Sequence, residues 1–154
     1  MAIQKDVRIK NRRARFEYEI LDTYNAGIVL RGTEIKAIRE GKASIAESFC
    51  EFSNGELFVI NMTIQEYSHS NSYSHNPKSE RKLLLTRREL KKLEKEVKNV
   101  GLTIVPLLLY TNEKGLAKLQ IALARGKKQY DKRETLKERD TKRQLSRIKK
   151  SFNN

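Results

Sequence analysis

The sequence predicts a mainly β fold: a small closed β-barrel with two or three flanking helices and a basic C-terminal tail. Two observations lead to this prediction. Short apolar runs separated by turn residues recur along the chain, a pattern typical of all-β barrels and not of βαβ units. The charge is also uneven, because +8 of the net +14 lies in residues 125–154. We therefore expect a barrel domain with a basic N-terminal arm over residues 1–126, and a separate basic tail over residues 127–154.

The first elements are an arm, two strands and a helix. Residues 5–15 carry many basic side chains and form the arm. Residues 16–21 alternate between apolar and polar side chains and are predicted as a strand, and residues 27–30 are another short apolar run. Thr33 is the expected N-cap of a short helix, and Gly41 is its expected stop.

The central segment contains a hairpin, a loop and the clearest helix. Asn54 and Gly55 lie between two apolar runs, which is a strong hairpin signal. Residues 69–81 are polar and rich in turn formers, so we expect a loop. Thr86 and Glu89 have the spacing of a capping box, and leucines and valines then follow at helical spacing up to the Gly101 stop.

Two long strands close the predicted barrel. Residues 102–110 are apolar, and Pro106 among them requires an edge or a bulge because it donates no backbone hydrogen bond. Residues 116–124 alternate after a turn over residues 112–115. The expected inward side chains are Leu119, Ile121 and Leu123, and the expected outward ones are Lys118, Gln120 and Ala122.

The tail is rich in helix formers, but its charges oppose a free helix. Most i, i+4 pairs repel, as Arg139 and Arg143 do, and the Asp131–Glu134 capping pair is weak. We expect the tail to be disordered when the protein is free and helical once phosphates neutralise it.

Composition narrows the possible functions. The single cysteine, Cys50, allows no internal disulfide and is expected to be buried in a strand. His69 and His75, the only histidines, are expected to be solvated loop residues. No phosphate loop, nucleophile motif or metal-ligand set is visible, so we expect no catalysis, no metal and no cofactor. The absence of a signal segment and of a long apolar run predicts a cytoplasmic protein without a membrane partner.

The net charge favours a polyanionic partner, and nucleic acid is the best-supported class. Lysine and arginine neutralise phosphates, and aromatic rings stack on unpaired bases. Glu34 has two interpretations at this point. It can complement the helix dipole from the first turn, or accept a hydrogen bond from a base edge or a 2′-hydroxyl.

Four stretches, in this order, resemble the tmRNA-binding small protein B family, also called SsrA-binding proteins. The stretches are NRRARFEYEIL, AGIVLRGTEIKAIREGKASIAESF, KLLLTRREL and ARGKKQYDKRE. The resemblance runs from about Lys10 to Arg133, and the tail beyond matches in composition only. It implies a closed antiparallel barrel of OB-like topology.

The resemblance also implies a function. Such proteins bind the tRNA-like domain of tmRNA and deliver it, together with elongation factor Tu, to ribosomes stalled without a stop codon. The tail then enters the small-subunit decoding site and the empty mRNA channel, so the missing message is sensed as free space.

Residue roles follow from matched positions. The resemblance assigns tmRNA contacts to Glu34 and Lys118, and we expect Arg12 and Arg13 of the basic arm to bind the same RNA. The expected surface is exposed and carries both Glu34 and Lys118. The residues expected to contact the ribosome from the tail are Lys127, Lys128, Tyr130, Asp131, Lys132 and Arg133. Among these, Tyr130 stands where the family often has histidine, and base stacking survives that change.

Two other functions stay open from the sequence. One is a ribosomal or generic single-stranded-RNA-binding barrel protein, which needs no tRNA-like partner. The other is an enzyme acting on RNA.

Overall fold

The computed structural model describes residues 6–67 and 74–127. These residues form a mainly β structure with three helices, as predicted. The elements in chain order are β1 Arg8–Lys10, α1 Arg12–Glu17, β2 Tyr18–Ile28, α2 Gly32–Arg39, β3 Ala43–Ser44, β4 Phe49–Ser53, β5 Glu56–Ile60, β6 Thr63–Ile64, β7 Arg81–Leu84, α3 Arg87–Val97, β8 Leu102–Thr111 and β9 Ala117–Gly126.

Seven strands form one antiparallel sheet in the order β1-β8-β4-β5-β7-β2-β9. An additional pairing joins β9 to β8, so the hydrogen-bonded order from β8 through β4, β5, β7, β2 and β9 returns to β8. The short strands β3 and β6 pair separately. Every one of these pairings is antiparallel, which agrees with the antiparallel topology that the family resemblance implies.

The main core lies on the inner face of this sheet. The predicted inward residues of β9 are confirmed, because Leu119 and Ile121 are fully buried and Leu123 is 4% exposed. Helices α2 and α3 contribute Ile38 and Leu93, both fully buried. Burial of such a side chain contributes about 1.5–3 kcal/mol, so the alternation in β9 is strongly constrained.

Helix α1 was not predicted, and it replaces the start of the expected strand at residue 16. Asn11 begins the helix, since its side-chain oxygen accepts a hydrogen bond from the Ala14 backbone NH at 3.2 Å. The Asn11 amide also donates to the carbonyls of Ile45 at 3.1 Å and Pro106 at 2.9 Å. Contacts with two distant segments thus stabilise a helix of only six residues.

A second apolar cluster lies beneath α1, where Ala14 packs against β8 and β9. Ala122 was expected to point outward, and it does lie on the face of β9 opposite to Ile121. That face is covered by α1 at this end of β9, so Ala122 is fully buried in this cluster and does not reach solvent.

Three local predictions about turns and strand irregularities are confirmed. Asn54 and Gly55 join β4 to β5 with φ values of 51° and 78°, which confirms the hairpin and fits a type I′ turn. The register of β8 shifts between Pro106 and Leu108, so the predicted bulge is confirmed. Gly41 has φ +74° just after α2, as expected for its stop.

Three boundaries differ from the prediction. The N-cap of α2 is Arg31 and not Thr33, and residues 27–30 include the end of β2 instead of a separate strand. The third boundary is the end of α3, which was expected to run up to the Gly101 stop. The helix begins at the predicted capping box of Thr86 and Glu89 but ends at Val97. Val100 therefore lies beyond the helix, and it is fully exposed.

The first and last described residues leave the sheet at opposite ends of the β8–β9 ladder. Val7 exchanges hydrogen bonds with Thr111, next to the turn that joins β8 to β9. Gly126 pairs with Tyr18 at the other end. A ten-residue strand is about 33 Å long, so Val7 and Gly126 lie far apart. Within the described ranges, no helix has the length and apolar character needed to cross a membrane.

Candidate RNA-binding surface

The strand register aligns a row of side chains across five strands. Arg8 of β1 lies opposite Tyr110 of β8, and Tyr110 lies opposite Lys118 of β9. Lys118 then lies opposite Gly27 of β2, which lies opposite Leu84 of β7. Directly opposed residues share a face of an antiparallel sheet, so the row occupies one surface.

This surface is the outer one. The neighbouring row, one residue along each strand, contains Leu109, Leu119 and Ala26, which are all fully buried. Because successive side chains point to opposite faces, the row that contains Lys118 faces outward. The predicted outward orientation of Lys118 agrees with this register.

Gly27, in the middle of the row, is closely approached by its neighbours on both sides. A methyl group added at Gly27 would lie 3.3 Å from Leu84 Cβ and 3.7 Å from Lys118 Nζ. The ammonium group of Lys118 therefore lies close to the backbone of β2, beside a leucine that is 52% exposed. A cation, an aromatic ring at Tyr110 and an exposed apolar side chain are suited to phosphates and to unpaired bases.

A second outer row lies two residues away and carries polar groups. It joins Lys10 of β1, Leu108 of β8, Gln120 of β9 and Asn25 of β2. Lys10 and Asn25 are exposed. We call these two rows together the outer face. Sequence reasoning found Lys118 but missed Gly27, Leu84 and Asn25, because only the register brings them beside it.

Glu34 does not lie on the outer face. Its side chain is 5% exposed and forms an ion pair with Arg81 of β7 through Glu34 Oε2 and Arg81 Nε. Its other oxygen accepts a hydrogen bond from the Arg31 backbone NH at 2.9 Å. The expectation of one exposed surface carrying both Glu34 and Lys118 was wrong, because the capping interaction turns Glu34 inward under Arg81.

Arg81 connects three segments from a position that is almost completely buried. Its Nη1 donates to the Met62 carbonyl at 2.8 Å, and its Nη2 donates to the carbonyls of Pro77 at 3.1 Å and Asn76 at 3.3 Å. Its side chain is 2% exposed. No sequence pattern indicates this role, because Arg81 lies among charged residues that resemble a solvated face.

His75 is buried beside the same cluster, contrary to the expectation of a solvated histidine. It is 3% exposed, with Nε2 2.9 Å from the Ile64 carbonyl and Nδ1 3.0 Å from Thr33 Oγ1. A carbonyl only accepts, so Nε2 donates to the Ile64 carbonyl. His69 lies outside the described residues.

The two arginines expected to bind RNA lie in different surroundings. Arg12 lines a groove together with Arg8, Lys10 and other residues. Arg13 points elsewhere and forms ion pairs with Glu17 at 3.4 Å and Glu47 at 3.9 Å. Arg12 is therefore close to the outer face, whereas the charge of Arg13 is partly neutralised.

The start of the tail is attached to α1. The Lys127 backbone NH donates to the Glu17 carbonyl at 2.8 Å, and Lys127 Nζ donates to the Arg15 carbonyl at 3.3 Å. The other tail residues that we expect to contact the ribosome lie outside the described residues; they are Lys128, Tyr130, Asp131, Lys132 and Arg133.

Cys50 is 5% exposed, and burial raises the pKa of its thiol. The expectation of a buried strand residue is confirmed.

We expect Cys50 to resist maleimide in the native protein and to react completely in denaturant. The thiolate is the reactive form, and burial both disfavours the thiolate and blocks access of the reagent. Mass spectrometry after a short exposure measures the fraction of Cys50 that is modified. Rapid modification of Cys50 in the native protein would contradict the prediction.

In the part of the chain that the structure describes, no group of three His, Cys, Asp or Glu residues is placed to hold a metal ion.

The family model described as "SmpB protein" matches residues 8–151. The chain belongs to the SmpB family. It is 67% identical over 150 residues to the SsrA-binding protein of Christiangramia forsetii, with 97% of this chain and 96% of that protein covered. It is 68% identical over 149 residues to the SsrA-binding protein of Flavobacterium johnsoniae, with 97% and 99% covered.

A solved structure extends the SmpB family assignment to the fold. Its description reads "tmRNA-SmpB: a journey to the center of the bacterial ribosome". The similarity has a TM-score of 0.67 and a sequence identity of 48%, and it covers 79% of this chain and 85% of that chain. The resemblance seen in the four sequence stretches is thereby confirmed.

Proposed function

We propose that this protein binds the tRNA-like domain of tmRNA and delivers it to ribosomes stalled without a stop codon, in trans-translation. The observation that carries the proposal is membership of the SmpB family over residues 8–151, with SsrA-binding proteins as relatives. The solved tmRNA-SmpB structure supports tmRNA and the ribosome as partners. Elongation factor Tu joins through the tmRNA complex, and the protein acts in the cytoplasm.

The outer face binds the RNA in this proposal. Lys118 contacts a phosphate, and the exposed Leu84 and the ring of Tyr110 pack against bases or sugars. The additional pairing of β9 with β8 supports a closed OB-like barrel, which would keep these side chains at fixed spacings. Glu34 acts indirectly, because its buried pair with Arg81 supports β7, the strand that carries Leu84.

The tail, residues 127–154, enters the decoding site and the empty mRNA channel in this proposal. Its net charge supports contacts with ribosomal RNA phosphates. The residues proposed for these contacts are Lys127, Lys128, Lys132 and Arg133, with Tyr130 stacking on a base and Asp131 starting the helix. About 20 helical residues would span roughly 30 Å, which is long enough to line a channel.

Replacing Lys118 by alanine tests the outer face. We expect affinity for tmRNA to fall about 10- to 100-fold, because a hydrogen bond to a charged group contributes roughly 1.5–3 kcal/mol. Filter binding with a tmRNA transcript measures the effect. Lys114→Ala is the matched control, since Lys114 is an exposed lysine in the turn before β9 and its loss should change affinity less than about threefold. Equal effects of the two changes would contradict this assignment of Lys118.

The generic single-stranded-RNA function predicts a different result. An unrelated structured RNA of the same length would then bind the wild-type protein as tightly as tmRNA does. We expect tmRNA to bind at least about tenfold more tightly than the unrelated RNA, a difference of about 1.4 kcal/mol.

The enzyme alternative is tested by incubating labelled RNA with the protein and Mg²⁺. We expect no cleavage of the RNA.

A further inference from the structure

A basic groove of about 430 Å³ lies between β1, α1 and β8. Four cationic residues line it: Arg8, Lys10, Arg12 and Arg15. The other lining residues are Asn11, Leu107, Leu108 and Gln120, so none of the eight is acidic. A concave site lined by one sign of charge concentrates ligands of the opposite sign.

The four groove cations differ from other basic residues of the domain. Arg13, Lys82 and Lys92 each form an ion pair with a carboxylate. Across residues 6–67 and 74–127, no ion pair is found for the four groove cations, and all four are exposed. Their charge is therefore available to an external anion.

The groove is also held in shape by buried contacts. Asn11 forms its floor and is 5% exposed, with its amide hydrogen-bonded to the carbonyls of Ile45 and Pro106. These bonds fix α1 against the bulge of β8. Arg8 and Lys10 are fixed by pairing of β1 with β8. The backbones that carry the four cations thus keep their spacing before any ligand binds, which lowers the entropic cost of binding.

The groove continues the outer face. Arg8 belongs to the row of Lys118, two strands away, and the strand spacing places the two backbones about 10 Å apart. Lys10 and Gln120 belong to the second row. The full row from Arg8 to Leu84 crosses five strands, or about 19 Å.

We propose that this groove binds backbone phosphates of the same RNA that lies over Lys118, so the RNA footprint extends from β7 to α1. The inference rests on the proposed function and adds Arg8, Lys10 and Arg15 to its binding residues. The ligand is a continuous phosphodiester backbone, because an isolated phosphate would not span both the groove and Lys118.

A charge-matched pair of variants tests the proposal. The groove variant carries Arg8→Gln, Lys10→Gln, Arg12→Gln and Arg15→Gln. The control variant carries Lys91→Gln, Lys95→Gln, Lys98→Gln and Lys114→Gln, four exposed residues that belong to neither row of the outer face and do not line the groove. Both variants lose four positive charges, so an effect of net charge alone is the same in both. Affinity for a tmRNA transcript is measured from 0.05 to 0.4 M salt.

We expect the groove variant to lower the magnitude of the slope of log K against log[salt] by about 3, and affinity at 0.15 M salt by roughly 300-fold, if each cation neutralises one phosphate. The control variant should change the slope by less than about 1. Equal slopes for the two variants would overturn the proposal, whether both are reduced or neither is. The proposed function would survive that result, provided that wild-type protein still prefers tmRNA and Lys118→Ala still weakens binding.

A measurement on the unaltered protein covers the case in which the groove variant does not fold. Acetylation by a soluble amine-reactive ester, followed by mass spectrometry, reports the accessibility of each lysine with and without tmRNA. We expect RNA to reduce the reactivity of Lys10 several-fold, as for Lys118, and to leave Lys91 and Lys95 unchanged. Unchanged reactivity of Lys10, with protection of Lys118, would overturn the groove and retain the outer face.

Discussion

Replacing Arg81 by methionine is expected to lower the free energy of unfolding by about 3–5 kcal/mol, the usual cost of removing one partner of a buried ion pair. The Glu34 carboxylate would stay buried without its partner. The carbonyl of Met62 would also lose its 2.8 Å donor. Urea denaturation measures the effect, and a shift of the midpoint by about 2 M is expected for a domain of this size.

Lys82→Met is the matched control, because Lys82 is the next residue of β7 and also forms an ion pair. Its partner is Glu56 at 2.9 Å, but the side chains of Lys82 and Glu56 are 40% and 51% exposed. An exposed pair contributes about 0–1 kcal/mol, so the control should be nearly as stable as wild type. Similar costs for the two replacements would refute the role given to Arg81.

Glu34→Gln separates support of the fold from direct RNA contact. Glutamine keeps an oxygen for the Arg31 backbone NH but leaves Arg81 as an unpaired buried charge, so stability should fall. At a temperature where the variant is still fully folded, its affinity for tmRNA should equal that of wild type. A folded variant with weakened binding would restore the family-based assignment of Glu34 as an RNA contact.

Ending the chain after Lys127 is expected to abolish tagging on a message without a stop codon, while tmRNA affinity stays within a few-fold of wild type. All described contacts of residues 6–127 remain in the shortened chain, including the bond from Lys127 NH to the Glu17 carbonyl. The proposed channel helix is lost completely. Filter binding and an in vitro tagging assay measure the two activities separately.

A full-length variant controls for chain length. Replacement of Asp131, Lys132 and Arg133 by alanine keeps the tail but removes its proposed cap and two proposed phosphate contacts. It should also fail in tagging and retain tmRNA binding. The proposed division of labour does not hold if the shortened protein loses tmRNA binding, or if it supports tagging at the wild-type rate.

Local sequence signals predicted the elements that depend on local interactions. The Asn54–Gly55 turn, the Thr86 capping box and the alternation in β9 all involve residues within a few positions of each other. Helix α1 escaped prediction because its stability depends on Asn11 contacts with Ile45 and Pro106, which are 34 and 95 residues away. No periodic pattern over six residues carries that information.

The candidate site was predictable only in part, for a similar reason. Lys118 was identified from the family resemblance, and its outward direction followed from strand alternation. Its neighbours Gly27 and Leu84 come from two other strands, so their position beside it depends on register. The inward turn of Glu34 depends on Arg81, which is 47 residues away. Charged residues in a charged stretch give no indication that one of them is buried.

The position of β9 has a mechanical consequence for the tail. β9 leads directly into the tail, and it is hydrogen-bonded along its length to β2 on one side and to β8 on the other. Because these hydrogen bonds run across the strand, a pull along the strand axis strains both ladders in shear, and many bonds share the force together. The same pull on an edge strand at right angles would break bonds one at a time. If the tail is held on the ribosome as proposed, tension along it would therefore meet a strand whose two hydrogen-bonded ladders resist it together.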